Sequence, residues 1–92
     1  MAKRTGRPWS RVKRRVLVRD RGICHLCGLP GATTADHITP VAHGGSWYDL
    51  ANLAAAHHVC NLKRGTKTVA EARALLALDA ERATAGAGSW RW

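Results

Sequence analysis

Three cysteines and one histidine of this chain fall into two pairs with the same spacing. Cys24 and Cys27 form a C-x-x-C pair, and His57 and Cys60 form an H-x-x-C pair farther along the chain. Two residues between ligands let a tight turn direct both side chains at one tetrahedral ion, and three thiolates with one imidazole are an ordinary donor set for structural Zn²⁺. The spacing therefore predicts a zinc knuckle made by these four residues.

Two further histidines lie close to these pairs. His58 is the rival of His57 as fourth ligand, but it stands only two positions from Cys60, so the spacing favours His57. His25, inside the first pair, is expected to be exposed. The alternative, three free thiols placed by chance, leaves the paired spacing without an explanation. A closed four-ligand site has no open position for water, so the predicted zinc serves folding rather than catalysis.

A second set of polar residues stands between the two pairs and directly after the last cysteine. In chain order the sequence contains C-x-x-C, D-H-I-x-P, G-G, N-L and H-x-x-C-N. This composite of five spaced elements resembles the HNH endonuclease family over about Trp9 to Gly65. The resemblance implies an α+β chain with a ββα-metal (His-Me finger) fold and a zinc knuckle. It also implies metal-dependent hydrolysis of DNA phosphodiester bonds, by nicking or double-strand cutting, with 3′-hydroxyl and 5′-phosphate products.

The resemblance assigns roles to four residues. His37 matches the first histidine and is the implied general base, since imidazole titrates near neutral pH and can deprotonate an attacking water. Asp36 matches the acidic residue before it, Asn61 occupies the third motif position, and both are implied ligands of a catalytic divalent cation. Asn52 matches the central asparagine, which is implied to tie the loop by hydrogen bonds and so orient His37. The motif is therefore an H-N-N variant.

A carboxylate with an amide oxygen, the other positions being left to water and phosphate, suits Mg²⁺ or Mn²⁺. One alternative concerns Asp36. Neighbouring side chains on a regular strand point to opposite faces, so Asp36 and His37 serve one site only if the strand is distorted. If the strand is regular, Asp36 is an ordinary strand-end hydrogen bonder and Asn61 is the lone protein ligand.

The elements that must position these residues begin with a helix from Trp9 to about Asp20, ended by Gly22. Its apolar positions recur at helical spacing and leave a basic face. The basic side chains expected toward solvent or DNA are Arg11, Arg14, Arg15 and Arg19. A β-leaning run follows over residues 33–39, and Pro40 limits it.

The second half of the chain reads mostly as helix. A short helical turn is predicted over residues 50–55, and a second helix begins at Val59 or Cys60 and ends around Gly65. Thr68-Val69-Ala70-Glu71 fits the capping-box pattern that starts a C-terminal helix, predicted over residues 68–83.

These elements make one HNH nuclease domain over residues 9–83, with its core motif at 24–65. A flexible basic arm is predicted for residues 1–8 and a flexible tail for residues 84–92. The Trp90-Arg91-Trp92 end of that tail is either disordered or stacks on bases or on a partner.

The formal net charge of +9 indicates a polyanionic partner, because neutralising phosphates releases condensed counterions. The basic residues lie before Gly22 and after Leu62, which leaves the predicted catalytic segment without a cation that would repel a metal ion. A merely basic soluble domain or a ribosome-associated protein is the alternative. His43 reads as a surface loop residue and Trp47 and Tyr48 as packing residues. The predicted DNA contacts, mostly to phosphates, are Arg11, Arg14, Arg15, Lys63 and Arg64.

Three cysteines cannot all pair within one chain, and neither a signal peptide nor a bilayer-spanning stretch is recognisable. We therefore expect a soluble cytoplasmic protein with no membrane association. We also expect a monomer, in a bacterial host cell. A stand-alone HNH protein of this length resembles phage-encoded HNH proteins, some of which assist a terminase. It equally resembles restriction or mobile-element nucleases. The competing functional class is a non-catalytic zinc-knuckle nucleic-acid-binding module, which would not need the Asp36, His37, Asn52 and Asn61 set.

Overall fold

The computed structural model of the chain describes the backbone of residues 7–89 and the side chains of residues 8–83. The helices and strands, in chain order, are α1 (Arg7–Arg19), β1 (Thr34–His37), β2 (Leu53–Ala56), α2 (His58–Arg64) and α3 (Val69–Ser89). Single 3₁₀ turns cover Val41–His43 and Leu50–Asn52 in the connection between the strands. The unit β1–β2–α2, flanked by α1 and α3, confirms the predicted fold class.

Helix α1 ends in a Schellman arrangement, in which the last turn closes over a residue in the left-handed conformation. That residue is Arg21, with φ of 57°. The Arg21 N–H donates to the carbonyl of Val18 (3.2 Å), and the Gly22 N–H donates to the carbonyl of Leu17 (3.0 Å). The helix therefore ends at Arg19, one residue before the predicted Asp20, and the left-handed residue is Arg21 followed by Gly22, whose own φ is also positive.

Two charged side chains at the end of α1 attach this helix to the strand β2. The Arg19 guanidinium donates to the carbonyls of Leu50 (2.8 Å) and Leu53 (2.6 Å) and forms an ion pair with Asp20 (2.7 Å). The Asp20 carboxylate in turn accepts the N–H of Ala55 at 2.9 Å. Arg19 is exposed, as predicted, but its guanidinium also binds two backbone carbonyls of the fold.

Strand β2 lies at the centre of the molecule. It pairs with β1 in antiparallel register, with Asp36 opposite Ala54 and His37 opposite Leu53, and all four of its residues are buried. The predicted helical turn over residues 50–55 is correct only for the 3₁₀ turn and wrong for β2. Alanine favours helix intrinsically, but here burial and the ladder to β1 override that weak preference.

Helix α3 begins with the predicted capping box. The Thr68 N–H donates to Glu71 Oε1 (2.8 Å), and the Glu71 N–H donates to Thr68 Oγ1 (3.1 Å). The helix then continues past Ala83 to Ser89, so the flexible tail predicted for residues 84–92 is helical as far as Ser89. Glycine costs a helix interior only about 1 kcal/mol relative to alanine, which an otherwise alanine-rich segment tolerates.

Parts of the predicted termini lie outside the described residues. The basic arm is described only from Arg7, which already belongs to α1, and Trp90-Arg91-Trp92 is not among the described residues. Within residues 7–89, no helix combines the length and the apolar character needed to cross a bilayer.

The link between α1 and β2 predicts a pH-dependent loss of stability in Asp20→Asn. The hydrogen bond from Arg19, together with that from Ala55, holds the pKa of Asp20 below its ordinary value, although partial burial acts in the opposite direction. A depressed pKa stabilises the fold above the usual pKa of an aspartate, and this contribution disappears as the pH falls through the folded-state value. We expect Asp20→Asn to lose about 2 kcal/mol of unfolding free energy at neutral pH, the range for hydrogen bonds to charged groups.

Urea unfolding of both proteins at neutral and strongly acidic pH measures this difference. The control is Asp79→Asn, because Asp79 forms an exposed ion pair with Lys63 at 3.4 Å, which is worth at most about 1 kcal/mol. An equal loss in the two variants, or a loss in Asp20→Asn that does not shrink in acid, would contradict the assignment.

Candidate active site and metal centre

Four donor atoms converge at the junction of the knuckle turn and helix α2. The Sγ atoms of Cys24, Cys27 and Cys60 and a ring nitrogen of His57 all lie within 4.8 Å of one another. The first two belong to a turn closed by the Gly28 N–H, which donates to the carbonyl of Cys24 (2.8 Å). His57 precedes α2 and Cys60 lies in its first turn. The structure therefore brings together the four residues predicted from the spacing.

The imidazole of His57 is oriented as a metal ligand. Its Nε2 lies 2.8 Å from the carbonyl of Pro30, which can only accept, so Nε2 carries the proton. Nδ1, which then has the free lone pair, lies 3.3 Å from Cys27 Sγ and 3.7 Å from Cys60 Sγ. Such a hydrogen bond on the distal nitrogen is the usual way in which a ligand histidine is fixed. His58 is exposed and lies outside the cluster.

The surroundings of two of the thiols shift their pKa values in opposite directions. Burial tends to raise the pKa of Cys24, but hydrogen bonds from the backbone N–H groups of Cys27, His57 and Leu26 outweigh it and bring the value to about 6. Burial, the hydrogen bond with Cys27 and the charge of Cys24 raise the pKa of Cys60 to about 12. A cation that offsets their charge would favour the thiolates of both Cys24 and Cys60, so the donor set fits a thiophilic divalent metal such as Zn²⁺.

His37 ends strand β1 and is held on several sides. Its Nε2 lies 3.0 Å from the carbonyl of Trp47 and so carries the proton, which leaves Nδ1 as the basic atom. The ring stacks on Trp9, with centroids 5.6 Å apart, and meets the Trp47 ring edge-on at 5.7 Å. His37 is thus a buried, oriented imidazole with its tautomer fixed by the backbone. The contribution of Trp9 is not readable from its position in the sequence.

Asn52 holds the loop that supplies this carbonyl. Its Oδ1 accepts the N–H of Thr39 (2.8 Å), and its Nδ2 donates to the carbonyls of Thr39 and Ser46, each at 3.0 Å. Ser46 directly precedes Trp47, so the amide of Asn52 fixes the segment whose carbonyl binds His37. The geometry agrees with the orienting role that the resemblance implies for Asn52.

Gly45 permits the close approach of the two sides of this loop. A Cβ at this position would lie 1.8 Å from the carbonyl oxygen of Thr39 and 2.8 Å from Asn52 Nδ2, a distance that real side chains do not adopt. The sequence marks Gly44-Gly45 only as a loop, and the requirement at Gly45 becomes visible when the strand and loop are brought together.

Arg64, at the end of α2, is buried, with 1% of its surface exposed. Its Nη1 donates to Asp36 Oδ2 (2.5 Å) and to the carbonyl of His37 (2.7 Å), its Nη2 to the carbonyl of Ile38 (2.7 Å), and its Nε to the carbonyl of Lys67 (2.8 Å). The prediction that Arg64 contacts phosphate is therefore wrong, because its guanidinium is inside the protein and its three nitrogens are used.

Asp36 has a second polar partner in the knuckle turn. The Nε2 of His25 lies 2.8 Å from the same carboxylate oxygen, Oδ2, that Arg64 binds. The side chain of His25 is only 12% exposed, so its predicted exposure is wrong. The pairing of β1 with β2 is regular at Asp36 and His37. A regular strand favours the alternative in which Asp36 is a hydrogen bonder and Asn61 is the lone protein ligand of the metal.

Asp36 and His37 nevertheless border one depression of about 210 Å³, together with Asn61 of α2. We call it the His37 pocket. The remaining residues that line it are Pro40, Val41, Ala42, Trp47, Arg64 and Gly65. The pocket thus combines an oriented imidazole with a carboxylate and an amide, and its oxygen donors suit a hard cation such as Mg²⁺ or Mn²⁺.

Most of the predicted basic contacts are on the surface. Arg11, Arg14 and Arg15 are exposed on α1, and Lys63 is exposed on α2, where it pairs weakly with Asp79. His43 is exposed as expected. Of the two aromatic residues expected to pack, Tyr48 lies against the core and Trp47 against His37.

The orientation of His57 predicts different outcomes for two adjacent histidines. Only His57 contributes to the donor cluster, so we expect His57→Ala to lose bound metal and to unfold at a lower temperature, whereas His58→Ala retains both properties. Zinc per protein, measured by inductively coupled plasma mass spectrometry, and thermal unfolding followed by circular dichroism test this pair. Metal loss in His58→Ala, or full occupancy in His57→Ala, would reverse the assignment.

Comparison with known proteins identifies the arrangement. Residues 24–67 match the sequence model of the HNH endonuclease family. The structure resembles the HNH endonuclease of the deep-sea thermophilic bacteriophage GVE2, crystallised with manganese ion, at a TM-score of 0.53 and 29% sequence identity over 64% of this chain and 70% of that chain. No curated protein matches the chain significantly. Residues 24–67 thus match an HNH endonuclease domain, within a chain whose fold is similar to that of a phage HNH endonuclease.

Proposed function

We propose that this protein is a metal-dependent DNA endonuclease and that His37 is its general base. The observation that carries the proposal is the His37 pocket, where an imidazole with its tautomer fixed by the Trp47 carbonyl meets a carboxylate and an amide, those of Asp36 and Asn61. A fixed base beside two oxygen donors is the set that hydrolysis of a phosphodiester needs, and the match of residues 24–67 to the HNH endonuclease family supports this reaction class.

In the proposed reaction, water attacks phosphorus and gives up a proton to Nδ1 of His37. A bond forms between the water oxygen and phosphorus, and the bond between phosphorus and the 3′ oxygen breaks. The departing oxygen takes a proton from solvent, which yields 3′-hydroxyl and 5′-phosphate ends. Trp9 and the Trp47 carbonyl keep the imidazole oriented throughout, while Asn52 keeps the loop that bears this carbonyl in place.

The chain offers ligands for two ions of different chemistry. Asp36 and Asn61 are the residues that would hold catalytic Mg²⁺ or Mn²⁺, which supplies Lewis-acid stabilisation of the charge that develops on the phosphate and the leaving oxygen. Cys24, Cys27, His57 and Cys60 would hold structural Zn²⁺. The similar phage endonuclease, which contains manganese ion, supports a hard cation at the first site.

The DNA is bound mainly through its phosphates. The exposed Arg11, Arg14 and Arg15 on α1 and Lys63 on α2 are the proposed contacts, and the net charge of +9 supports electrostatic attraction. We further propose a phage-encoded monomer that acts in the cytoplasm of a bacterial host cell, with a terminase as a possible protein partner.

One observation favours the competing class, a zinc-knuckle module that binds nucleic acid without cutting it. Arg64 and His25 already bind one carboxylate oxygen of Asp36. In a non-catalytic module, these structural contacts alone would account for the presence of Asp36. Cleavage itself separates the two classes.

Incubation of the purified protein with supercoiled plasmid and Mg²⁺ or Mn²⁺ tests the proposed activity. We expect nicked or linear DNA, no cutting in EDTA, and a loss of about 10²–10⁴-fold in His37→Ala, the usual contribution of a general base. His43→Ala is the control, because His43 is exposed and lies outside the His37 pocket. Plasmid that stays supercoiled with every divalent metal would contradict the nuclease, and full cutting by His37→Ala would contradict the base.

The DNA contacts are tested by the salt dependence of binding. In a His37→Ala background, so that the DNA stays intact, replacing Arg14 by Ala is expected to reduce the slope of log affinity against log salt by about one, the share of one phosphate contact. Arg82, which is also exposed but lies on α3, provides the control substitution. Fluorescence anisotropy of a labelled duplex gives both slopes, and equal slopes in the two variants would remove Arg14 from the interface.

A further inference from the structure

We propose that His25 is a positioning residue for Asp36, through which the zinc-knuckle turn sets the affinity of the catalytic metal site. The inference rests on the proposed function, because it assigns a purpose to the carboxylate of Asp36 in the His37 pocket. It depends on contacts that cannot be predicted from the sequence, since His25 stands between two predicted zinc ligands and was expected to be an exposed turn residue.

The backbone of His25 is fixed from two directions. Its N–H donates to the carbonyl of Ala55 in β2 at 2.8 Å, and its carbonyl accepts from Nε of Arg73 in α3 at 2.8 Å. Its neighbours Cys24 and Cys27 are both held at the donor cluster. The imidazole is therefore presented from a restrained backbone, which is what a positioning residue requires.

The side chain of His25 reaches Asp36 from the knuckle turn. Its Nε2 lies 2.8 Å from Asp36 Oδ2, and the two side chains are 12% and 7% exposed. A carboxylate oxygen accepts, so Nε2 is the donor in this contact. Arg64 donates to the same oxygen at 2.5 Å. Two donors from different elements thus fix Oδ2, and Oδ1 takes no part in either contact.

This arrangement determines how Asp36 can bind a cation. With Oδ2 fixed by both donors, Oδ1 is the oxygen left for a metal in the His37 pocket, which Asp36 lines. With Arg64 alone, the carboxylate is free to rotate and to offer both oxygens to the planar guanidinium, because paired hydrogen bonds are the preferred geometry of an arginine and a carboxylate. That pairing would compete with the metal for Oδ1 of Asp36. His25 therefore favours the orientation of the carboxylate in which Oδ1 can bind the metal.

The test compares His25→Ala with His25→Gln, whose amide nitrogen can replace the Nε2 donor, and with His43→Ala as an exposed histidine control. Binding of Mn²⁺ is measured from the electron paramagnetic resonance signal of the free ion, independently of any cleavage. We expect the Mn²⁺ dissociation constant to rise about 10–100-fold in His25→Ala, the typical effect of losing a hydrogen bond to a metal ligand. His25→Gln should recover most of this loss, and His43→Ala should match the wild type.

Two further measurements separate positioning from folding. Zinc content and thermal unfolding should stay close to wild-type values in His25→Gln, and plasmid nicking by His25→Ala should recover at saturating Mn²⁺, because the base His37 is intact. An unchanged Mn²⁺ affinity in His25→Ala would overturn the proposal. So would loss of zinc in both His25 variants, which would make His25 a structural residue of the knuckle.

The outcome for the wild type distinguishes the two levels of the proposal. A wild-type protein that binds Mn²⁺ but does not nick DNA would overturn the nuclease function, while the Mn²⁺ titrations would still decide the role of His25. A wild-type protein that does not bind Mn²⁺ would overturn both.

Discussion

The buried guanidinium of Arg64 connects the parts of this protein that carry its candidate chemistry. It joins the end of α2 to Asp36, to the carbonyls of His37 and Ile38, and to the segment that leads into α3. A buried charge without a partner is strongly destabilising, so the position of α2 against β1 depends on the ion pair of Arg64 with Asp36. The elements that hold His37, Asp36 and Asn61 are therefore set by one ion pair and its backbone acceptors.

Around this centre, the small hydrophobic core is supplemented by polar ties. The core is composed largely of alanine and cysteine with few large side chains, and short alanine side chains on β2 allow close packing of the elements on both sides. Hydrogen bonds of Arg19 and Asp20 connect α1 to β2. Asn52 binds the loop before Trp47. The donor cluster brings the knuckle turn and α2 together. A metal that closes the cluster would supply stability that a core of this size does not provide.

The residues that sequence reasoning located correctly are those whose geometry is local. A C-x-x-C turn, an H-x-x-C helix start and the Thr68–Glu71 capping box each depend on a few neighbouring positions. The errors concern long-range contacts. Whether an arginine at the end of a helix is buried against backbone carbonyls is decided by distant elements, as for Arg64. The same holds for His25, which lies in the knuckle turn while its partner Asp36 lies on β1, and for β2, where burial overrides the helical preference of alanine.

The central claim is that the chain has two metal sites of different chemistry, a closed thiolate site for folding and an open oxygen site for cleavage. X-ray absorption at the zinc and manganese edges of one sample, zinc-loaded protein titrated with Mn²⁺, tests it most directly. The predicted result is a zinc ion surrounded by three sulfurs and one nitrogen, as the donor cluster implies. Addition of Mn²⁺ leaves this zinc coordination unchanged, and the manganese ion has only oxygen or nitrogen neighbours. Sulfur around manganese, displacement of zinc, or zinc without sulfur ligands would contradict the claim.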